Sequence, residues 1–290
     1  MTDKLLYYFV LTLIDIIMLI PKSIRRGLFK FLAYLTYLVF SKNKKIIEAN
    51  LNLVYKNDID TKTIKHIQKS CYKKLFLTIL SIVENQYLKK EDIESMVTFE
   101  NRHFIDELQE KNQQFIYITA HMGNLDLLGV FIGHFFGSTT HVQQKLKNPY
   151  LTNYMKTQRE KYGINVVDKY GAVKQLYKAL KKGGIASLVI DQNTNPKYST
   201  KVNFLGVNTY QLTTSTLLSK RFNIPILPVF ITGADDEYKV IFKDPIYPHD
   251  KSDDELNQLQ ADVMSEVILK YPNEWFWCHK RFKNSHKDLY

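Results

Sequence analysis

The sequence contains few of the residues that build disulfide-linked or metal-binding domains. It has two cysteines, Cys71 and Cys278, and neither has a cysteine or another metal ligand close by in the sequence. We therefore expect a reducing compartment, no disulfide scaffold, and neither a metal nor another cofactor. Apart from His121, the histidines show no metal-ligand spacing such as HExxH, and we interpret them as structural.

Several other sequence signatures are absent. There is no internal repeat, no linker rich in glycine and serine, and no zinc-finger motif, RNA-recognition motif or long basic tail. The net charge of +11 therefore favours an anionic membrane surface or an anionic substrate over a nucleic acid. A lysine-rich surface without a particular partner explains this charge equally well.

What the sequence does contain is enough apolar material for a core. Its 290 residues are 45% hydrophobic and 13% aromatic, which excludes a disordered chain. A chain of this length can bury its core in one large domain or in two small ones.

Two apolar stretches near the N-terminus are each shorter than the roughly 20 residues that a membrane-spanning helix needs. They run from Leu5 to Ile20 and from Leu28 to Phe40, and Arg25 and Arg26 lie between them. No cleavage site of the A-x-A type follows the first stretch. We expect two helices that anchor the protein by lying in the membrane interface or barely spanning it, with the basic residues meeting anionic headgroups. The alternative is a pair of core helices.

Beyond residue 40, apolar β-branched runs alternate with amphipathic segments along much of the chain. This alternation predicts an α/β domain whose central sheet is largely parallel and flanked by helices. We therefore divide the chain into membrane-associated helices at residues 1–40 and an α/β domain at residues 41–290. The stretch from 193 to 210 is polar and predicts a loop. Strands are predicted at residues 97–101, 115–120, 138–143, 164–168, 185–190, 226–232 and 238–242.

The stretch FIYITAHMGNLDLLG, residues 115–129, holds the strongest candidates for catalysis. An apolar strand ends at a turn with His121 and a helix follows, and open α/β sheets usually bind their ligands at such strand ends. Asp126 could accept a hydrogen bond from His121 Nδ1, which would leave Nε2 as a general base for a substrate hydroxyl. Gly123 and Asn124 would let the backbone approach a ligand at the helix N-terminus. The alternative is that Asp126 only caps the helix and His121 is a turn residue.

Two further groups of residues could join this site. Asp191 follows another strongly apolar strand, and the geometry of a parallel sheet would bring it to the same edge as His121. Lys145, Arg159 and Arg281 are cations that could bind phosphate or carboxylate, which arginine contacts through two N–H groups. For each cation, a solvated surface charge is the alternative.

At these residues the chain resembles the lipid A late acyltransferases, the lauroyl and myristoyl transferase family of Gram-negative bacteria. The resemblance rests on the order and spacing of several short motifs along nearly the whole chain. Asp126 stands where family members usually have glutamate, and Leu125 replaces their usual tryptophan. The matching stretches are AHMGNLD (120–126), Asn148-Pro149 with Arg159 and Gly163, Asp191-Gln192, Phe204-Leu205-Gly206, the strand from Pro225 to Val229, and PNEWFW (272–277) with Lys280-Arg281-Phe282.

The resemblance implies a glycerolipid-acyltransferase-like fold at the bacterial inner membrane, with the catalytic domain on the cytoplasmic side. His121, oriented by Asp126, would deprotonate a hydroxyl of a Kdo-bearing lipid A precursor, and that oxygen would attack the thioester of an acyl-acyl carrier protein. Arg159 or N–H groups near Gly123 would stabilise the oxyanion, and Arg281 with other basic residues would bind phosphates or Kdo carboxylates. Further oxyanion or substrate contacts are predicted at Asn124, Lys145 and Asp191.

Two other functions are compatible with the same residues. A glycerolipid acyltransferase that makes phosphatidic acid shares the H-x4-D spacing, and it differs from a lipid A acyltransferase in the acceptor that it uses. A non-enzymatic peripheral membrane protein would use only the basic surface and the apolar N-terminus, and it would transfer no acyl chain.

Overall fold

A computed structural model describes residues 2–290. Five helices come first, and strands then alternate with helices along much of the chain, as the apolar pattern predicts. The helices are α1 (Thr2–Leu19), α2 (Lys22–Val39), α3 (Ser41–Val54), α4 (Thr61–Glu84), α5 (Lys90–Ser95), α6 (His103–Glu110), α7 (Leu125–Phe136), α8 (Pro149–Glu160), α9 (Ala172–Lys181), α10 (Thr214–Phe222) and α11 (Asp253–Lys270). The strands are β1 (Val97–Glu100), β2 (Ile116–Thr119), β3 (Thr139–Gln143), β4 (Ile164–Asp168), β5 (Ile185–Val189), β6 (Ser199–Phe204), β7 (Val207–Leu212), β8 (Ile226–Ala234) and β9 (Glu237–Phe242).

Seven strands form one central sheet in the order β1-β9-β8-β2-β5-β3-β4. Across residues 2–290, every neighbouring pair in this sheet is parallel except β8–β9, which is an antiparallel hairpin. The prediction of an α/β fold with a largely parallel sheet flanked by helices is confirmed. Both edges of β2 are paired, to β8 and to β5, so the C-terminal ends of β2 and β5 lie side by side.

The sheet separates two apolar cores, because successive side chains of a strand point to opposite faces. Ile116 and Ile118 of β2 pack on one face, in a cluster that includes Met264 of α11. Tyr117 packs on the other face, in a cluster that includes Phe131 of α7. A strand with both faces buried is apolar over most of its length, which is why β2 reads as a nearly continuous apolar run that ends in Thr119.

The prediction of a loop at residues 193–210 is wrong, since β6 and β7 form a two-stranded antiparallel hairpin there. Val202, Phe204 and Val207 are buried, whereas Lys201, Asn203 and Asn208 are exposed. Leu205 and Gly206 both have positive φ, as a two-residue hairpin turn requires. An alternation of apolar and polar residues marks the end of β6, whereas the buried face of β7 also carries the polar residues Thr209 and Gln211.

The two apolar N-terminal stretches form α1 and α2. No helix among residues 2–290 combines the length and the mean hydropathy needed to cross a membrane, so a spanning anchor is not supported. Many apolar side chains of the two helices are nevertheless exposed, among them Leu5, Phe9, Leu19, Phe31 and Val39.

Contact with lipid headgroups would require the arginines at the start of α2 to face outward, and they do not. Glu84 of α4 accepts hydrogen bonds from Arg25 Nε at 2.6 Å and from Arg26 Nη2 at 2.9 Å. Arg26 Nη2 also donates to Asp236, in the turn between β8 and β9, at 2.8 Å. These ion pairs join α2 to α4 and to the edge of the sheet, so the predicted headgroup contact of both arginines is wrong.

We expect Glu84→Gln to lower the free energy of unfolding by about 3 kcal/mol, because it leaves two buried or half-buried guanidinium groups without their shared carboxylate. Urea denaturation of the full chain measures this change. Lys30→Ala is the control, since Lys30 pairs with Asp235 at an exposed position and its loss should cost less than about 1 kcal/mol. Equal effects of the two substitutions would contradict the account.

Candidate active site

His121 lies just beyond the C-terminal end of β2, in the loop that leads to α7. Its side chain is 32% exposed, whereas Ala120 and Met122 on either side are buried. The His121 side chain is therefore partly exposed to solvent directly after the buried strand β2, at the position that the sequence predicts.

The carboxylate beside His121 is that of Asp191, which follows the neighbouring strand β5. His121 Nδ1–H donates to Asp191 Oδ1 at 2.7 Å, and the backbone N–H of His121 donates to Oδ2 at 2.9 Å. The Asp191 side chain is only 2% exposed. Because a carboxylate accepts the bond at Nδ1, that nitrogen carries the proton and Nε2 keeps its lone pair.

Each member of this pair stabilises the charged form of the other. Burial alone would lower the pKa of His121, but the charge of Asp191 and its hydrogen bond outweigh burial and raise that pKa above 6.5. Burial would likewise raise the pKa of Asp191, but the charge of His121 and the hydrogen bonds that it receives lower that pKa below 3.8. A general base that must hold a proton transiently needs this support.

The prediction that Asp126 accepts the bond from His121 is wrong. Asp126 lies in the first turn of α7, and its Oδ1 accepts from Arg159 Nε at 2.9 Å and Nη2 at 2.7 Å. Arg159 Nη1 donates to the side chain of Gln143, at the end of β3. Asp126 thus belongs to an ion pair between α7 and α8, and a catalytic role for either of its members stays a prediction.

Gly123 and Asn124 build the loop around His121. Gly123 has φ +57°, and a Cβ there would overlap the carbonyl oxygen of Ile231 in β8. Its N–H donates to the carbonyl oxygen of Glu274 at 2.9 Å, so it is not free to bind an oxyanion as predicted. Asn124, rather than Asp126, caps α7, and its Nδ2 donates to Ser81 Oγ at 2.8 Å. The predicted substrate contact of Asn124 is therefore replaced by contacts within the protein.

The Nε2 atom of His121 faces the amide of Gln192, with the two nitrogens 3.1 Å apart. Because Nδ1 carries the ring proton, the amide N–H is the donor to Nε2. Among residues 2–290, no hydroxyl or thiol is hydrogen bonded to His121. The site therefore contains a base without a nucleophile of its own. The sequence points to Gln192 as part of the Asp191-Gln192 pair after a strongly apolar strand, but assigns it no role in the site.

A short C-terminal strap, residues 274–276, packs across the His121 loop. The N–H of Phe276 donates to the carbonyl oxygen of His121 at 2.8 Å, and Met122 forms an antiparallel bridge with Trp275. The indole Nε1–H of Trp275 donates to Asp191 Oδ2 at 2.7 Å. Trp275 is thus a second residue of the site that is not among the predicted site residues, although it lies in the PNEWFW stretch (272–277) that matches the family.

The other two predicted cations lie elsewhere. Arg281 is fully buried, donates to the carbonyl oxygen of Tyr210 at 2.8 Å, and its burial lowers its pKa to about 10. Its Nε and Nη2 have no hydrogen-bond partner among residues 2–290, and the predicted contact of Arg281 with phosphates or Kdo carboxylates stays a prediction. Lys145 forms an ion pair with Asp168 at the end of the edge strand β4, 2.6 Å away, and is not bonded to the His121–Asp191 pair.

A largely apolar cleft opens between α4, α7 and α8. Ile82, Val130 and Met155 supply apolar walls, and the Asp126–Arg159 ion pair lines the same cleft. Apolar walls with a few charged groups are typical of sites that bind amphipathic ligands. No group of three or more His, Cys, Asp or Glu residues that could hold a metal ion occurs in the chain from residue 2 to 290.

Two comparisons with known proteins bear on this site. No curated protein matches the chain. The family model for bacterial lipid A biosynthesis acyltransferases, however, matches residues 1–284. This range includes His121, Asp191, Gln192 and the whole C-terminal strap. The chain therefore belongs to the bacterial lipid A biosynthesis acyltransferase family and is an acyltransferase.

Proposed function

We propose that the protein transfers a fatty acyl chain from acyl-acyl carrier protein to a hydroxyl of a Kdo-bearing lipid A precursor, with His121 as the general base. The observation that carries this proposal is the 2.7 Å hydrogen bond from His121 Nδ1–H to buried Asp191. The bond leaves Nε2 as the basic nitrogen, and no hydroxyl or thiol among residues 2–290 is hydrogen bonded to it. Such a base suits a reaction in which a hydroxyl of the substrate attacks directly.

The proposed reaction begins when His121 Nε2 takes the proton of the acceptor hydroxyl. The oxygen forms a bond to the thioester carbonyl carbon, and Asp191 stabilises the resulting imidazolium. The tetrahedral intermediate then collapses, the carbon–sulfur bond breaks, and the imidazolium gives its proton to the departing thiolate, which leaves as the thiol of the carrier protein. General-base assistance of this kind contributes about 10²–10⁴-fold to a rate.

Gln192 is the proposed donor to the oxyanion. Its amide now donates to His121 Nε2, at the position that the acceptor hydroxyl has to occupy. When the hydroxyl displaces it, the amide N–H is released within a few ångströms of the reacting carbonyl group. The N–H of Gly123 and the guanidinium of Arg159 are less suited to this role, because protein acceptors already engage them.

The substrates of this reaction carry hydrocarbon chains, and two features suit them. The cleft beside Asp126 and Arg159 could hold an acyl chain along its apolar walls. The exposed apolar side chains of α1 and α2 could lie in a membrane interface, which is where a lipid acceptor is found. We place the protein on the cytoplasmic side of the bacterial inner membrane, in contact with an acidic acyl carrier protein that its net positive charge of +11 favours.

The test is an acyl-transfer assay with the purified full chain, acyl-acyl carrier protein and a Kdo-bearing lipid A precursor, read by mass spectrometry. The expected product is the precursor with one additional acyl chain. Lysophosphatidic acid serves as the competing acceptor. Acylation of lysophosphatidic acid alone would replace the proposal with a glycerolipid acyltransferase, and no transfer from the carrier protein to either acceptor would contradict the proposed donor.

A further inference from the structure

We propose that Trp275 is a positioning residue for the base, because its indole N–H fixes the Asp191 carboxylate that orients His121. This inference rests on the proposed role of His121, but it concerns a contact that exists in the free protein. It therefore can be tested without any acyl transfer.

The carboxylate of Asp191 receives three hydrogen bonds. His121 supplies two of them, through Nδ1–H to Oδ1 at 2.7 Å and through its backbone N–H to Oδ2 at 2.9 Å. Trp275 supplies the third, to Oδ2 at 2.7 Å. Without the indole donor, Asp191 would be bonded only to the residue that it has to orient. Of the three donors, only the indole N–H of Trp275 comes from a residue other than His121.

The indole itself is held firmly. Trp275 is 2% exposed, and its ring lies edge-on to Phe204 and Trp277 with centroid distances of 5.8 and 4.6 Å. Its backbone is bridged to Met122, one residue from His121. The same residue therefore fixes the loop through its backbone and the carboxylate through its side chain. A buried, immobile donor loses little entropy when it holds a charged acceptor.

The contact also predicts how the base titrates. The indole N–H of Trp275 withdraws negative charge from the Asp191 carboxylate. Removal of this donor should leave more negative charge on the carboxylate beside the imidazolium and so raise the pKa of His121. The acidic limb of the pH–rate profile would then move to higher pH, since the base acts only when unprotonated. His279 and Arg281 also interact electrostatically with Asp191, and replacing Trp275 changes neither of these residues.

The decisive experiment compares Trp275→Phe with Trp277→Phe by following the imidazole NMR signals of the full chain against pH. Trp277 is a matched control, because it is buried in the same cluster but donates its Nε1–H to the carbonyl oxygen of Pro272. His121 is assigned by the signal that disappears in His121→Gln. We expect Trp275→Phe to raise the pKa of His121 by roughly half a unit to one unit, and Trp277→Phe to leave it unchanged.

Kinetics provide the second readout. Trp275→Phe should lower kcat about 10–100-fold, as expected for a lost hydrogen bond to a charged group, with little change in KM. A second variant with benzothienylalanine at position 275 keeps the size of indole but lacks the N–H, so it covers the case in which phenylalanine impairs folding. An unchanged His121 pKa in both folded variants would overturn the inference. A shifted pKa with no acyl transfer even by the unaltered protein would count against the proposed function alone.

Discussion

Asp191→Asn is expected to lower kcat for acyl transfer about 10⁴-fold, the loss that an asparagine causes in a related histidine–carboxylate arrangement. Asparagine has the size of aspartate, but one of its two acceptor atoms becomes an NH₂ group. That group would face either Nδ1–H of His121 or the pair of N–H donors at Oδ2. The imidazole would have to change its tautomer or its orientation, and the negative charge that stabilises the imidazolium would be lost.

The matched control for Asp191→Asn is Asp126→Asn. Asp126 is paired with Arg159 and not with His121, so this variant should retain the His121–Asp191 bond and lose far less of kcat. Steady-state assays at saturating donor and acceptor measure both variants, and thermal unfolding shows whether each remains folded. The opposite order of the two effects would mean that Asp126 moves to His121 when substrate binds.

Gly123→Ala should be among the most destabilising substitutions in the loop. The residue has φ +57°, which costs a residue with a Cβ about 1–2 kcal/mol, and the new methyl group would also overlap the backbone oxygen of Ile231. Backbone shifts that relieve such an overlap cost a further 1–3 kcal/mol or so. We therefore expect the free energy of unfolding to fall by about 3 kcal/mol and activity to fall with it, because His121 lies two residues away.

Gly27→Ala is the control for this effect. Gly27 is exposed within α2, and nothing lies within 4 Å of the position that its Cβ would take. Alanine should therefore stabilise the helix by about 0.5–1 kcal/mol. Chemical denaturation of the two variants measures the contrast. If Gly123→Ala were as harmless as Gly27→Ala, the tight approach of the His121 loop to β8 would be contradicted.

The sequence located both members of the proposed catalytic pair but joined His121 to the wrong carboxylate. Apolar runs ending in polar residues identified the ends of β2 and β5, and parallel-sheet geometry put His121 and Asp191 at one edge. Which strands are neighbours depends on the whole sheet, however, and no local spacing encodes it. The five-residue spacing to Asp126 was misleading, because α7 begins between the two residues and Arg159 engages the aspartate.

Other features escaped prediction for the same reason. Glu84 and Asp236 lie 59 and 210 residues from the α2 arginines that they bind. Because the local sequence does not show these distant partners, it predicts that the arginines beside the apolar stretches contact lipid headgroups. Trp275 lies 84 residues from Asp191, and its indole N–H could not be assigned an acceptor from the sequence. The β6–β7 hairpin is a local structure, but its alternating pattern is short and lies within a mostly polar segment.

The central claim is that His121 and Asp191 act as one unit in acyl transfer, and a double-mutant cycle tests it most directly. The measurement is kcat for His121→Ala, Asp191→Asn and the double variant, with acyl-acyl carrier protein and a Kdo-bearing lipid A precursor. Groups that act as a unit are strongly non-additive, so the double variant should be about as slow as the slower single variant. Losses that multiply in the double variant would show independent roles and contradict the account.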